Sequence, residues 1–115
     1  MEMTQAVQSL SALAQESRLS IFRLLVQAGP GGMAAGSIGE KLGLPPATLS
    51  FHLAGLTRAG IARSRQEGRF VFYSADFDSM NKLVGYLTEN CCGGKSCDVN
   101  PGGKSEETTR TRRRA

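Results

Sequence analysis

Apolar residues recur at helical spacing in the first quarter of the chain. Across residues 3–14, Val7, Leu10 and Leu13 fall on one side of a helix, and the opposite side carries Gln, Ser and Thr. Residues 17–28 are apolar nearly all round, which predicts a helix buried on most faces, at the centre of the core. The run Gly29-Pro30-Gly31-Gly32 ends that helix, and Gly29 is placed for a left-handed C-cap.

Two short amphipathic segments lie between residues 34 and 60. In the first, Ile38 and Leu42 are four residues apart, and in the second Leu49, Leu53 and Leu56 follow at i, i+4 and i+7. The break between them is Gly43-Leu44-Pro45-Pro46, and a proline such as Pro46 suits the first turn of a helix. This pattern predicts two helices joined by a tight turn, the outline of a helix-turn-helix.

After Gly60, apolar residues recur at every second position. Residues 61–65 and 70–74 alternate and flank Gln66-Glu67-Gly68-Arg69, which predicts a β-hairpin whose Gly68 has a positive φ. A basic hairpin directly after a helix-turn-helix is typical of the wing of a winged helix. Arg65 and Arg69 near its tip are therefore expected to meet phosphates or the minor groove. The alternative is a plain solvated hairpin.

A last helix is predicted over residues 77–92, with Asp76 as its N-cap. Its apolar stripe comprises Met80, Leu83, Val84 and Leu87, and Cys91 continues it. Gly93 and Gly94 then stop the helix, and the residues beyond are mostly Gly, Lys, Ser, Thr, Glu and Arg. We expect a folded domain over residues 1–92 and a flexible C-terminal tail over residues 93–115. The last thiol, Cys97, lies at the start of this tail.

The second helix of the predicted helix-turn-helix has a surface suited to DNA. At 100° per residue, the positions turned away from its leucines are Ala47, Phe51, Ala54, Gly55 and Arg58, with Thr48 and Ser50 on the flanks. No acidic residue occurs between Pro45 and Gly60. Hydroxyls can bond phosphates or base edges, and a Phe can touch a thymine methyl, so this surface favours DNA reading over packing against another protein element.

Charge and length narrow the class of protein. The 115-residue chain has a net charge of +4. Residues 46–75 contain four arginines and a single acidic residue, Glu67. This focuses positive potential on the second helix and the hairpin, as expected for a nucleic-acid partner. No apolar run approaches the ~20 residues needed to span a bilayer, and the N-terminus lacks a signal-peptide pattern, so we expect a cytoplasmic protein without a membrane role.

The chemically unusual stretch is the cluster of Cys91, Cys92 and Cys97. Structural zinc usually takes four ligands, whereas three thiolates suit trivalent arsenic or antimony, with lead and bismuth as competitors. The alternatives are three incidental thiols, or a redox switch in which Cys97 closes on Cys91 or Cys92. The chain has no C-x-x-C motif and no phosphate-binding loop, so we do not expect an enzyme.

Three segments together resemble the ArsR/SmtB family of metal-responsive winged-helix repressors over about residues 5–92. They are ESRLSIFRLL, GLPPATLSFHLAGLTRAGI and RQEGRFVFYS. The resemblance implies a homodimer formed by the first and last helices, which binds operator DNA without metal and releases it when metal binds. It also places Thr48, Ser50 and His52 at DNA-contacting positions and Arg69 at the wing tip. Because His52 projects near the buried flank of its helix, a hydrogen-bonded packing role is the default, and a phosphate contact is the alternative.

The sequence therefore predicts a mainly α fold with a small β-hairpin, a homodimeric winged helix-turn-helix. The expected function is a non-enzymatic repressor that releases its operator when As(III), or Sb(III), binds the three cysteines. A thiol-redox-responsive repressor is the alternative, and no catalytic cofactor is expected. The expected DNA-contacting residues are Ala47, Thr48, Ser50, Phe51, His52, Arg58, Arg65 and Arg69. The expected dimer interface comprises Val7, Leu10, Leu13, Met80, Leu83, Val84 and Leu87.

Overall fold

A computed structural model describes residues 1–94 of the 115-residue chain. The predicted tail beyond Gly94, with Cys97, lies outside the described residues. Five helices and a three-stranded sheet follow one another in these residues: α1 (Met3–Leu13), α2 (Glu16–Ala28), β1 (Met33–Ala34), α3 (Ala35–Leu42), α4 (Pro46–Arg58), β2 (Ala62–Glu67), β3 (Phe70–Ala75) and α5 (Phe77–Thr88). Within residues 1–94, no helix is both long and apolar enough to cross a membrane.

The core lies where α2, α3 and α4 meet the base of the sheet. Its most deeply buried side chains are Ile21, Leu25, Ile38, Leu53, Leu56 and Ile61. Helix α2 was expected to be buried on most faces, but this is wrong in part, because Leu19 is exposed. Ile21, Phe22 and Leu25 are buried, and Leu24 and Val26 are half-buried against the core, so one side of α2 remains open.

The predicted helix-turn-helix is confirmed as α3 and α4. Helix α3 ends at Gly43 in the left-handed conformation, and the Leu44 N–H donates to the Gly39 carbonyl at 3.0 Å. Pro46 occupies the first turn of α4, where its missing N–H leaves no intrahelical bond unmade. The leucine stripe of α4, formed by Leu49, Leu53 and Leu56, is buried as predicted. The core therefore fixes the orientation of α4.

The predicted hairpin is confirmed as β2 and β3. Ala62 pairs with Ala75 at its base and Glu67 pairs with Phe70 at its tip, where Gly68 has a φ of +62°. The sheet contains a third, unpredicted strand, since β1 pairs antiparallel with β3 through Met33–Tyr73 and Ala34–Phe72. Strand β1 has only two residues, too few for an alternating apolar pattern to be recognised in the sequence.

Two predicted helix ends differ from the structure. Gly29 caps α2 with a positive φ of 84°, but its ψ of −173° is not the left-handed helical conformation that was expected. Helix α5 begins as predicted, because the Ser79 N–H donates to the Asp76 carboxylate at 3.0 Å. It ends at Thr88 rather than Cys92, and Asn90 then adopts a φ of 57°. Cys91 therefore does not continue the helical stripe, but lies in a separate 3₁₀ turn, Cys91–Gly94.

Candidate nucleic-acid interface and cysteine cluster

The outer face of α4 is open to solvent and carries the predicted side chains. Ala47, Thr48, Ser50, Phe51 and Arg58 are all exposed, and Phe51 is 61% exposed. An aromatic ring left this accessible on a helix that is otherwise firmly packed is available to a partner. The two hydroxyls beside it are suited to phosphates or base edges. Helix α4 thus presents a narrow, acid-free surface that a duplex groove can accommodate.

His52 does not share that face. Its side chain is 9% exposed, and its Nδ1 accepts a hydrogen bond from Arg18 Nε at 3.2 Å. The default prediction, a hydrogen-bonded packing role, matches this geometry. The assignment of His52 to the DNA-contacting set is corrected, because a buried ring held by α2 is not presented to a phosphate.

Gly55 also departs from the helical projection, which turned it towards solvent. It is buried beneath the Arg18 guanidinium, and a Cβ built on it would lie 2.7 Å from Arg18 Cζ. The same guanidinium carbon lies 5.4 Å from the centroid of the Phe51 ring. Arg18 is therefore a residue of the interface that sequence reasoning missed. Its partners on α4 are more than thirty residues away, and no local pattern marks such a contact.

The arginines of α4 and the wing differ in whether they are bonded within the chain. Arg65 Nε donates to Glu67 Oε2 at 2.6 Å, its Nη1 donates to the Gly31 carbonyl at 3.3 Å, and its Cζ lies 5.0 Å from the Phe72 ring centroid. Arg65, predicted to meet phosphates or the minor groove, is thus also engaged within the chain. Within residues 1–94, Arg58, Arg63 and Arg69 are exposed and form no ion pair. These three side chains are the cations best placed to meet phosphates.

Helices α1 and α5 present an apolar face to solvent. Val7, Leu10, Val84 and Leu87 are exposed, with Leu87 at 58%. The predicted interface set is corrected for Leu83, which is buried within the chain. Leu13 and Met80 are half-buried and line an apolar pocket together with Val84, so they stay in the predicted set. The Tyr86 hydroxyl donates to Met3 Sδ at 3.6 Å and ties the end of α5 to the start of α1. Large apolar side chains left in solvent on two adjoining helices are candidates for burial by another protein surface.

The cysteines begin directly beyond α5. Cys91 Sγ lies 3.2 Å from Cys92 Sγ; Cys91 is a free thiol, whereas Cys92 is disulfide-bonded. Adjacent cysteines on a regular helix diverge, and they converge here because Cys92 has a left-handed φ of 59°. Residues 1–94 contain no group of three His, Cys, Asp or Glu side chains placed to hold a metal ion. The predicted third ligand, Cys97, lies outside the described residues.

Comparison with known proteins gives a consistent class of relative. A family model described as a helix-turn-helix domain matches residues 13–65. The transcriptional activator HlyU of Vibrio cholerae is 32% identical over 88 residues, which are 76% of this chain and 79% of HlyU. A solved structure of HlyU, in a form described as reduced, superposes with a TM-score of 0.58 at 30% identity and covers 77% of this chain and 90% of that one.

Two further solved structures bear on assembly and ligand. The winged helix-turn-helix domain of Mb0332 from Mycobacterium bovis, described as homodimeric and as a possible ArsR-family regulator, has a TM-score of 0.63 at 26% identity, with 81% of this chain and 86% of that one covered. A protein described as a possible transcriptional regulator for arsenical resistance has a TM-score of 0.61 at 25% identity, with 70% and 80% covered.

Proposed function

The chain belongs to the ArsR/SmtB family of winged helix-turn-helix transcriptional regulators, and from that premise we propose that it is a homodimeric repressor whose operator is released when trivalent arsenic binds Cys91, Cys92 and Cys97. The class of DNA-binding regulator follows from the relatives. The sign of regulation, the effector and the site are our proposal.

The DNA-binding half of the proposal is supported by two neighbouring surfaces. The exposed face of α4 offers Thr48, Ser50 and Phe51, and the wing offers Arg69 from its tip. In a winged helix the first surface enters the major groove and the second follows the adjacent backbone or minor groove. In a dimer, two such units would meet half-sites about 34 Å apart on an inverted repeat.

The homodimer is supported by the exposed apolar face of α1 and α5. A monomer that leaves Val7, Leu10, Val84 and Leu87 in water forgoes the free energy that their burial would supply. The homodimeric state of Mb0332 gives a related example. A twofold axis beside these helices would bury the same patch of both subunits against itself.

The observation that carries the arsenic proposal is the 3.2 Å separation of the Cys91 and Cys92 sulfurs. Once Cys92 is reduced, its sulfur and that of Cys91 are close enough to bind one thiophilic ion. As(III) forms three bonds to sulfur, which leaves one bond for Cys97. The relative described as a regulator for arsenical resistance supports the same effector. Antimony(III) shares this chemistry and is the expected second effector.

Coupling to DNA is supported by the position of the thiols at the end of α5. Only Glu89 and Asn90 separate that helix from Cys91, and α5 is tied to α1 through Tyr86 and Met3. Drawing the three thiols together would therefore pull on the helices that carry the apolar face. A change in subunit orientation there would alter the spacing of the two α4 helices. Such couplings are typically about 1–3 kcal/mol, or roughly 5–150-fold in affinity.

The test is a DNA titration followed by fluorescence anisotropy on a duplex selected by the protein from a randomised pool. Arsenite should weaken binding by wild type by roughly 5–150-fold, with no effect on Cys91→Ser, Cys92→Ser or Cys97→Ser. A phosphine reductant replaces dithiols, which would sequester arsenite. Normal release by the serine variants would overturn the site, and a sulfur-to-arsenic absorption band with one ion per subunit would support it.

A thiol-redox repressor is the second candidate, and two observations favour it. Cys92 is disulfide-bonded beside the free thiol of Cys91, and the HlyU relative has been solved in a reduced form. Oxidation would then release DNA without any metalloid. Peroxide followed by dithiothreitol, in the absence of arsenite, should dissociate and then restore the complex. Release by arsenite at constant reducing potential would instead support the arsenic site.

A further inference from the structure

Arg18 of α2 lies across the flank of the recognition helix α4 and contacts three of its residues. Its Nε donates to His52 Nδ1 at 3.2 Å, its Cζ lies 5.4 Å from the Phe51 centroid, and its guanidinium covers Gly55. The Phe51 and His52 rings in turn meet edge to face, with centroids 5.6 Å apart and an interplanar angle of 62°. One side chain from outside the helix-turn-helix therefore holds an aromatic pair on the helix that meets DNA.

The charge of Arg18 is not used in an ion pair. Within residues 1–94, the acidic partners in ion pairs are Glu67 and Asp78, and these are paired with Arg65 and Lys82. The Arg18 guanidinium is thus directed at the Phe51 face, where a cation over a ring gains about 0.5–1 kcal/mol at an exposed site. Its Nε–H is used by His52.

We propose that Arg18 is a positioning residue for sequence recognition, acting through Phe51. A lone phenylalanine that is 61% exposed has several rotamers open to it. The Arg18 guanidinium over the ring and the His52 ring inclined at 62° to it restrict the orientation of Phe51. An oriented ring can meet the 5-methyl group of a thymine, whereas a mobile ring loses entropy on binding. This inference rests on the proposed reading of DNA by α4.

Gly55 leaves the space that the Arg18 guanidinium occupies. A Cβ at Gly55 would lie 2.7–2.9 Å from three guanidinium atoms of Arg18, closer than real contacts allow. The guanidinium is the far end of a flexible side chain, so it would move while α4 stays in place. Gly55→Ala therefore displaces Arg18 from Phe51 without altering any charge. It also improves the helix propensity of α4 by up to about 1 kcal/mol.

The test compares wild type with Arg18→Met, Gly55→Ala, Phe51→Ala and the two double variants that carry Phe51→Ala. The probes are a duplex selected by wild type from a randomised pool, the same duplex with thymine replaced by deoxyuridine, and a random duplex. Arg18→Met and Gly55→Ala should each weaken binding to the selected duplex by about two- to fivefold, as expected from the loss of the contact between cation and ring. Gly55→Ala should leave affinity for the random duplex unchanged, because it retains every charge.

The role of Phe51 gives the decisive comparison. On a Phe51→Ala background, adding either substitution should change affinity less than about twofold, because the coupled pair is already broken. The penalty for replacing thymine by deoxyuridine should be present in wild type and lost in Arg18→Met. Thermal unfolding of each variant at one protein concentration accompanies the titrations, and Gly55→Ala keeps the test intact if Arg18→Met unfolds.

Two results would overturn the inference while leaving the proposed function standing. One is an equal loss with and without Phe51, and the other is a parallel loss on the selected and random duplexes for Gly55→Ala. A wild type that enriches no sequence from the pool would overturn the proposed function itself, and the role of Arg18 with it.

Discussion

Arg65 and Glu67 are bonded to each other on the wing, with Nε and Oε2 2.6 Å apart. They are alternate residues of β2, so both side chains lie on the same face of the hairpin. The sequence placed Arg65 at the tip as a cation for DNA. The structure instead gives it an internal carboxylate, together with the Gly31 carbonyl and the Phe72 ring. The Glu67 carboxylate would therefore compete with a DNA phosphate for the Arg65 guanidinium.

The first prediction follows from that competition. Glu67→Gln should strengthen DNA binding by about two- to fivefold, because an exposed pair of about 0.2–1 kcal/mol no longer retains Arg65. The slope of log affinity against log salt should steepen by about one ion, as for one added phosphate contact. Anisotropy titrations over a range of salt concentrations measure both quantities.

Asp78→Asn supplies the matched control for Glu67. It removes the same charge from the other exposed pair, Lys82–Asp78 at 3.1 Å, which lies on α5 rather than the wing. We expect little change in DNA affinity. If Asp78→Asn and Glu67→Gln strengthen binding equally, the effect comes from net charge, and the internal retention of Arg65 is not its cause.

The second prediction concerns the start of α5. Asp76→Ala should lower the free energy of unfolding by about 1 kcal/mol, within the range of about 0.5–2 for a lost N-cap. The bond at stake is the Ser79 N–H to the Asp76 carboxylate. Denaturant unfolding at a fixed protein concentration measures it, since assembly would otherwise shift the midpoint. Asp78→Ala removes a first-turn acid and its ion pair with Lys82 but no cap bond, so it should cost about half as much or less. Equal losses would mean that first-turn charge, through the helix dipole and Lys82, outweighs the cap bond.

The third prediction concerns the face shared by α1 and α5. Leu87→Asp should shift the protein from dimer to monomer, because it buries a carboxylate in an apolar interface. Sedimentation velocity over a concentration series gives the oligomeric state. Phe70→Asp is the control, since Phe70 on the wing is 59% exposed, close to the 58% of Leu87. A dimer that survives Leu87→Asp, or that is lost equally in both variants, would place the interface elsewhere.

Much of the fold could be predicted because its determinants are local. The spacing of Leu49, Leu53 and Leu56 fixes the buried side of α4, and Gly68 fixes the turn of the wing. Strand β1 could not be predicted, because two residues acquire their conformation only by pairing with β3. The end of α5 at Thr88 was missed for a related reason, since apolar spacing continues to Cys91 while the backbone does not.

The candidate site was predicted less completely, for reasons of distance along the chain. A helical projection turned Gly55 to solvent, because it cannot anticipate that α2 directs Arg18 over that flank. The same contact assigns His52 to packing, the role that its angular position had indicated. The bond between Arg65 and Glu67 was not predicted, because a sequence shows the charge of a residue and not which neighbour it contacts. The exposed residues Thr48, Ser50 and Phe51 depended on α4 alone, and their placement was right.

Strand β1 runs straight into α3, and its pairing with β3 fastens the wing to the base of the helix-turn-helix. The two elements that would touch DNA are therefore separated by a fixed distance. A cognate duplex must match that distance, so inserting one base pair between the segments touched by α4 and by the wing would put one of them out of phase. We expect binding to tolerate an inserted base pair only between the two half-sites, because the relative orientation of the two subunits can adjust there.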